Sequence, residues 1–367
     1  MDHDQPRPAS VTVADVARTA GVSKATAARV LGGYGTVSDK AREAVMAAAK
    51  ALDYRPNELA RSMTTGRSGT IGVVVGDIEN PFFSLAVRGI ADVARLSGFN
   101  VILTNSGEES GFEKAAVKTL VAKRVDGLIV SPAHDGDIEH LRDVARSGRP
   151  LVLLDRAVSS LGVDAVTADD AAAGGRAARL LIARGHRRIV YLTACDTGAK
   201  GFTALGDLYT GSVRERVSGF LKAGAKADIA DMAALVRPGA NAPDRIRRIV
   251  LDLLSLPEPP TAIIASDSVI GLEVFRLARE LGLDLPGSLS LLSFHDADWT
   301  SVTSPPVTVI RQPVYEMGVA AARRLVERLK GETGPARHTV LETTLVERGS
   351  VGPAAGEANR SLLRRPA

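Results

Sequence analysis

Apolar residues follow two different rhythms along this chain, and the change comes near residue 69. Over residues 11–54 they recur every three or four positions. Val13, Val16, Ala17 and Ala20 share one helical face, and Ala41, Val45, Ala48, Ala49 and Leu52 share another. Between these runs, Val22, Ala27, Val30 and Leu31 mark one side of "KATAARVL". "TVAD" at 12–15 has the form of a capping box, Ser23 and Ser38 stand where N-caps are needed, and Gly21 and the Gly32, Gly33, Gly35 cluster break the pattern. Three short helices with a tight turn between the first two form the helix-turn-helix plan. Residues 55–68, "RPNELARSMTTGRS", read as a linker that Pro56 could open as a short helix and Gly66 could close. Such a piece is too short to be helical alone in water.

From Gly69 onward, short apolar runs alternate with amphipathic stretches. "TIGVVV", "NVILT", "DGLIV", "PLVLLD", "RRIVYLT", "TAIIAS" and "SLSLLSF" read as strands. "PFFSLAVRGIADVARLSG", "EKAAVKTLVAKR", "AAAGGRAARLLIARG" and "VIGLEVFRLARELG" are among the intervening helices. This alternation predicts doubly wound parallel sheets. The units are too many for one sheet, so two similar α/β halves are expected. The expected organisation is a helix-turn-helix domain at 11–54, a hinge at 55–68 and a core at 69–349. The core divides into a first lobe of about 69–165 plus 294–318 and a second of about 166–293 plus 319–349. Residues 350–367 are expected to be a disordered tail.

Composition changes this picture little. The 367 residues are 45% hydrophobic and 24% charged, an ordinary globular balance. The net charge is +4 and the pI about 9.3. The excess is uneven: residues 1–67 hold ten Lys and Arg against seven acids, and the chain from Arg348 holds four Arg against Glu357. A basic amino-terminal segment suits nucleic acid. Cys195 is the single cysteine, so no internal disulfide forms, and it reads as a small apolar residue after a strand. "MDHDQPRPAS" has no apolar run and no stretch of ~18 apolar residues occurs, which points to a cytoplasmic protein. No G-x-G-x-x-G follows the first strand, and no P-loop, G-x-S-x-G elbow or Cys/His cluster occurs, so neither an enzyme nor a metal site is expected. His186 in "GHRR" reads as a structural turn residue.

"VTVADVARTAGVSKATAARVL", "VSDKAREAVMAAAKALDYRPNELARSM", "GRSGTIGVVVGDIENPFF", "GHRRIVYLT", "RERVSGF", "SLSLLSF" and "TSPPVTVIRQP" occur in order. With them the chain resembles the LacI-type bacterial transcriptional regulators over nearly its whole length. The resemblance implies a helix-turn-helix domain, a hinge helix and a core similar to periplasmic sugar-binding proteins. It implies a homodimer on a near-palindromic operator, controlled by a small molecule and acting most often as a repressor. No leucine heptads mark the tail, so a dimer is expected rather than a tail-zippered tetramer. A solute-binding protein without a DNA role is the rival reading, which the helix-turn-helix opposes.

Residue roles follow from the resemblance together with helical spacing. Lys24, Ala25, Ala28 and Arg29 face away from the packed side of their helix and toward the major groove. Arg29 matches the family's base-contacting arginine, suited to guanine, while Ala28 replaces a common Ser. Thr12, Ser23 and Thr26 are the accompanying DNA contacts. In the hinge, Asn57 and Ala60 line the helix, and Met63 stands where the family places a Leu that wedges into the central minor-groove step.

Ligands of two-lobed α/β cores sit at the carboxyl ends of strands. Asn80, Phe82, Phe83, Asp155, Ser212, Arg216, Asp267, His295 and Trp299 are the candidate effector-binding residues. Phe82 and Phe83 lie at the pocket mouth or in the core. Arg216 matches a family ligand arginine, or makes a surface ion pair with Glu215 or another acid. His295 stands where the family has Asp, and its imidazole could carry charge near pH 6–7. Trp299 stacks on the ligand or packs at a dimer interface. Residues 196–211 form an unusually long loop into the pocket. A sugar is the expected effector, with a nucleoside or purine as the alternative; no cofactor is expected.

Overall fold

The computed structural model describes residues 11–54 and 67–354. The hinge candidates Asn57, Ala60 and Met63 lie outside the described residues. The chain divides into two compact units, Met1–Gly69 and Thr70–Ala367.

The first unit holds α1 (Val13–Thr19), α2 (Lys24–Gly32) and α3 (Asp39–Ala51). Its starts and stops are local chemistry. The Asp15 amide donates to Thr12 Oγ1 at 3.4 Å and the Thr12 amide donates back to Asp15 Oδ2 at 3.0 Å. Ser23 Oγ accepts from the Thr26 amide at 3.1 Å and Ser38 Oγ from the Ala41 amide at 3.4 Å. Gly33 ends α2 in the left-handed region, at φ 70°. The three helices meet over a core of small residues, Val16, Ala17, Ala27, Val45, Ala48 and Ala49, ringed by Val22, Val30, Leu31 and Leu52.

In the second unit, β1 (Thr70–Val75), β2 (Asn100–Asn105), β3 (Gly127–Val130), β4 (Leu151–Leu154) and β5 (Asp164–Ala168) join β11 (His338–Leu341). Their order is β11-β5-β4-β3-β1-β2. A second sheet repeats that order with β6 (Ile189–Leu192), β7 (Val236–Arg237), β8 (Ala262–Ala265), β9 (Ser290–Phe294), β10 (Thr308–Arg311) and β12 (Thr344–Val346), as β12-β10-β9-β8-β6-β7. All pairings are parallel except β10 with β12. The central strands are buried apart from Thr70 at the start of β1, which is why they read as continuous apolar runs.

Each lobe also carries one intimate helix pair. In the first lobe α4 (Pro81–Leu96) lies on α12 (Val314–Leu329), so closely that a Cβ on Gly318 would overlap the Ala86 carbonyl. In the second, α7 (Asp170–Ala183) lies on α8 (Gly211–Lys226), with Gly219 against the Ala171 carbonyl.

The lobes exchange segments differently from the sequence expectation. β10, and Phe294 at the end of β9, placed by sequence with the first lobe, belong to the second sheet. α12 and β11, placed with the second lobe from residue 319, return to the first, and only β12 closes the second. Burial explains the exchange. The apolar face of α12 (Val314, Met317, Ala321, Leu325) has its partners in the first lobe, among Ile71, Phe83, Ile90 and Leu154. The first lobe also continues to Ala168, beyond the expected 165. Two of the three crossings are tied together: Asp169 Oδ1 accepts from the Thr343 amide and hydroxyl, at 2.9 and 2.8 Å, and Oδ2 accepts from Arg176 at 2.8 Å.

The expected tail boundary moves as well. Ser350, Val351 and Gly352 are buried, with Ser350 Oγ donating to the Leu291 carbonyl at 2.6 Å and accepting from the Thr308 amide at 2.8 Å. The Ala354 amide donates to the Arg184 carbonyl at 2.9 Å. His186 belongs to the same seam, its ring bonded to Thr261 Oγ1 at 2.8 Å and the Gly352 carbonyl at 3.1 Å. Among the described residues no helix is long and apolar enough to cross a membrane.

Candidate functional site

Two surfaces, one in each unit, gather the sequence candidates. In the first unit, Lys24, Ala25 and Arg29 are exposed and Ala28 is half-buried, while Ala27 on the opposite face is fully enclosed. Neither Lys24 nor Arg29 makes an ion pair among the described residues. Thr12, Ser23 and Thr26 have a structural duty: Thr12 and Ser23 cap helices, and the Ser23 and Thr26 hydroxyls are bonded to each other at 2.9 Å.

The second surface is a cavity of about 590 Å3 between the two lobes, at the carboxyl ends of their strands. Eight of the nine effector candidates line it: Asn80, Phe82, Phe83, Asp155, Ser212, Arg216, Asp267 and His295. Trp299 does not. It belongs to α11 (Asp298–Val302) and packs inside the second lobe, its ring 6.2 Å from that of Phe275 and its edge against Gly271. Phe82 and Phe83 satisfy both of their expected readings, being buried in the first-lobe core and part of the cavity wall.

Strand ends position the polar groups. Asp155 follows β4 and donates its amide to the Val166 carbonyl at 2.8 Å; His295 follows β9 and donates to Ile310 at 3.0 Å. The two sheets share one strand order, so these are equivalent positions in the two lobes. Both residues sit in the left-handed region, at φ 67° and 68°. Asp and His tolerate that region better than most residues, yet it still costs about 1 kcal/mol each. The neighbouring strand holds them there and turns them out of the sheet at the cavity.

Both cavity arginines are already paired. Arg156 makes a two-pronged contact with Glu108, at 2.6 and 2.9 Å, and donates to the Pro132 carbonyl at 2.8 Å. Arg216 donates through Nε to Asp170 at 2.6 Å and through Nη1 to the Ser266 carbonyl at 3.0 Å, and it lies over the Phe294 ring. So Arg216 does pair with an acid, but the acid is Asp170 and not Glu215, and the pair is buried rather than at the surface. Burial pushes Asp170 up to about 7, against the pull of Arg216, with Asp155 adding to the push. Burial also raises Asp267, whose Oδ1 accepts from the Val269 and Ile270 amides, both at 2.9 Å, and so caps α10 (Ser268–Glu280).

His295 is not the charged group that the sequence allowed. Burial lowers it to about 4, so the ring is neutral at pH 7. Asp296 does not take over the missing carboxylate role. Burial works to raise it, but hydrogen bonds from Arg348, Thr300 and Arg311 hold it down to about 2 and occupy its oxygens. Around the cavity, Asp155 Oδ1, His295 Nδ1 and Gln312 Nε2 are enclosed and meet no hydrogen-bond partner among the described residues.

The sequence reading missed Glu108, Asp170, Tyr209 and Gln312. Glu108 and Gln312 follow β2 and β10, so the strand-end rule that selected Asn80 would also have found them. Tyr209 lies in the 196–211 loop, where its ring stacks on His134 at 4.8 Å. Asp170 carries no local signal, since its role comes from meeting Arg216, 46 residues away.

Comparisons with known proteins agree with this layout. A family pattern described as bacterial regulatory proteins, lacI family, matches residues 12–57, and one for a periplasmic binding protein-like domain matches residues 178–351. The probable HTH-type transcriptional regulator EndR of Paenibacillus polymyxa is 32% identical over 87% of this chain and 90% of its own length. Among solved structures, the lac repressor dimer bound to operator and the anti-inducer ONPF is 26% identical with a TM-score of 0.80, over 94% of this chain and 99% of that one. The CelR–cellobiose complex is 28% identical with a TM-score of 0.67, over 93% and 99%.

Proposed function

We infer the function from one premise: this chain belongs to the lacI family of bacterial regulatory proteins, as a transcriptional regulator with a DNA-binding domain and a ligand-binding core. The finer reading we propose is a repressor. It binds a near-palindromic operator as a homodimer, on DNA in the cytoplasm, and is controlled by a neutral polyhydroxylated metabolite of mono- or disaccharide size. Arg29 and Lys24 carry base contacts, and Met63, in the linker, supplies the minor-groove wedge.

The observation that carries the effector class is the charge state of the cavity. Five carboxylates line it (Asp77, Glu108, Glu109, Asp155, Asp267) against two guanidinium groups, Arg156 and Arg216. Both cations already hold carboxylates, so an anionic ligand would find no free positive partner. A sugar hydroxyl both donates and accepts, which suits a carboxylate oxygen, a neutral imidazole nitrogen and an amide NH2 that lack protein partners. Phe82 and Phe83 offer apolar wall for the C–H face of a sugar ring. The volume falls within the usual range for a small-ligand site. The CelR structure, with cellobiose bound, supports the same class.

In this mechanism the ligand changes how the lobes close on each other. Closure resets the spacing of the paired cores, the hinge segments form or melt, and operator affinity shifts. The test is calorimetric titration of the full-length protein with neutral sugars, nucleosides and purines, followed by operator binding with and without the hit. A neutral sugar should bind and shift operator affinity at least fivefold. Binding by a nucleoside or purine alone would replace the sugar class, and a ligand that leaves operator affinity unchanged would overturn the coupling.

A further inference from the structure

A second cavity, of about 480 Å3, opens at the opposite end of the first lobe's sheet. It lies where β4 and β5 begin, between the end of α6 (Glu139–Arg146) and the turn before β5. Four arginines line it, Arg142, Arg146, Arg149 and Arg328, and the only acid among the lining residues is Asp164. Asp164 is fully committed. Arg328 reaches its two oxygens at 2.7 and 3.1 Å, Arg324 lies 2.9 Å away, and the Arg337 amide donates at 2.7 Å. The remaining guanidinium groups have little to hold. The half-buried Arg142 bonds Glu139 at 3.0 Å and reaches the Ser160 carbonyl at 3.4 Å, while the exposed Arg146 has, among the described residues, only Asp143 at 3.8 Å. Arg149 Nη1 is enclosed and meets no acceptor among the described residues.

We propose that this cavity is a binding site for a phosphate-type anion, separate from the effector cleft. An enclosed guanidinium donor without a partner is costly, and exposed i,i+3 pairs such as Arg146 with Asp143 contribute little. An anion entering between Arg142, Arg146 and Arg149 satisfies all three, and the guanidinium fork matches phosphate oxygens two at a time. The parallel register pairs Ile71 with Gly127, Leu128 with Leu151 and Val152 with Asp164, so β1, β3, β4 and β5 start at one edge. The effector cleft opens at the other edge, a strand length of about 13 Å away. The chain leaving the linker enters β1 at the arginine edge. The anion therefore has two possible sources: a free phosphate-bearing metabolite, or a phosphate of the bound DNA.

The experiment uses the full-length protein with Arg149→Ala and Arg149→Lys. Inorganic phosphate and pyrophosphate are titrated calorimetrically at constant ionic strength, and binding to a generic DNA duplex is measured across a salt series. A free anion predicts one pyrophosphate per chain, weakened at least tenfold by Arg149→Ala and less by Arg149→Lys, with an unchanged DNA salt dependence. A DNA phosphate predicts weak pyrophosphate binding, and a log–log salt slope reduced by about one in Arg149→Ala. Pyrophosphate binding that survives Arg149→Ala undiminished, or no binding together with an unchanged slope, would overturn the proposal. Arg149→Lys keeps the charge and loses the fork, so it decides the matter if the alanine variant folds poorly.

Discussion

The amino-terminal unit and the two-lobed core handle positive charge in opposite ways. In the small unit, Lys24 and Arg29 stand exposed on α2 and hold no acid among the described residues. In the core, Arg156 and Arg216 are buried beside the ligand cavity and each is held by a carboxylate. An unpaired surface guanidinium is a group waiting for a polyanion. A paired, buried one shapes a neutral site and keeps anions out. On the proposed function, the same residue type faces DNA in one unit and a neutral ligand in the other, and burial with pairing tells the two apart.

The sharpest way to break that contrast is to remove Arg216. Its partner Asp170 has a side chain only 5% exposed, so Arg216→Ala leaves a buried carboxyl in the second lobe without its hydrogen-bond partner. The expected cost is about 3 kcal/mol, read as a fall in the core's melting temperature, together with loss of effector binding. Arg156→Ala should cost less, about 2 kcal/mol, because the Glu108 side chain is 38% exposed and can turn to water, so that only the looser 3.3 Å contact with the buried Asp155 is lost without replacement. Equal losses for the two variants would mean that pairing geometry, and not burial, sets the energy.

Acid titration sharpens the account of the cavity. His295 has its native value near 4 against an ordinary 6.5. Between those two values the unfolded chain binds a proton that the native ring refuses, so stability falls as pH drops from 6.5 to 4. The full effect is about 3 kcal/mol. Asp170 acts in the other direction: raised from 3.8 to about 7, it makes stability fall as pH rises through that window. His295→Asn removes only the first effect. Urea melts of both proteins at a series of pH values should diverge below pH 6.5, and parallel curves would refute the buried neutral imidazole.

Arg29→Ala is the surface counterpart of Arg216→Ala. It should leave the melting curve unchanged and lose about 1–3 kcal/mol of operator discrimination, roughly 5- to 150-fold, in a competition assay against generic DNA. Full sequence preference in that variant would remove Arg29 from the reading face.

These cases show what could be read before any coordinates. Helices and strands were legible because period and caps are local: Thr12, Ser23 and Ser38 announce helix starts whatever they pack against. The cleft was legible through a rule about strand ends, which reaches Asn80, Asp155 and His295. Pairing was not legible. Asp170 meets Arg216, and Glu108 meets Arg156, only through the stacking of strands and helices far apart in sequence. Trp299 misled because it follows β9 closely, yet one turn of α11 places it against Phe275. The lobe exchange after residue 294 was hidden for a related reason. An amphipathic helix such as α12 shows that it has a buried face and says nothing about which lobe buries it.

The smallest effect concerns how the amino-terminal unit holds together, with no buried ion pair among its described residues. Its core is built from small side chains, so helix ends supply a larger share of its order than they do in the lobes. Thr12 makes a reciprocal box with Asp15, whose carboxylate lies below its ordinary range because the Thr12 hydroxyl and amide both donate to it. Ser38 makes a single contact, 3.4 Å from the Ala41 amide, with no reciprocal bond. Thr12→Ala should therefore cost about 1 kcal/mol and Ser38→Ala less. Hydrogen exchange of the α1 amides in the full-length protein reads the difference, because protection there should fall several-fold while amides of β1 and β8 stay unchanged. Equal losses for the two caps, or a loss that spreads into the core sheets, would show that the small unit depends on something other than its helix ends.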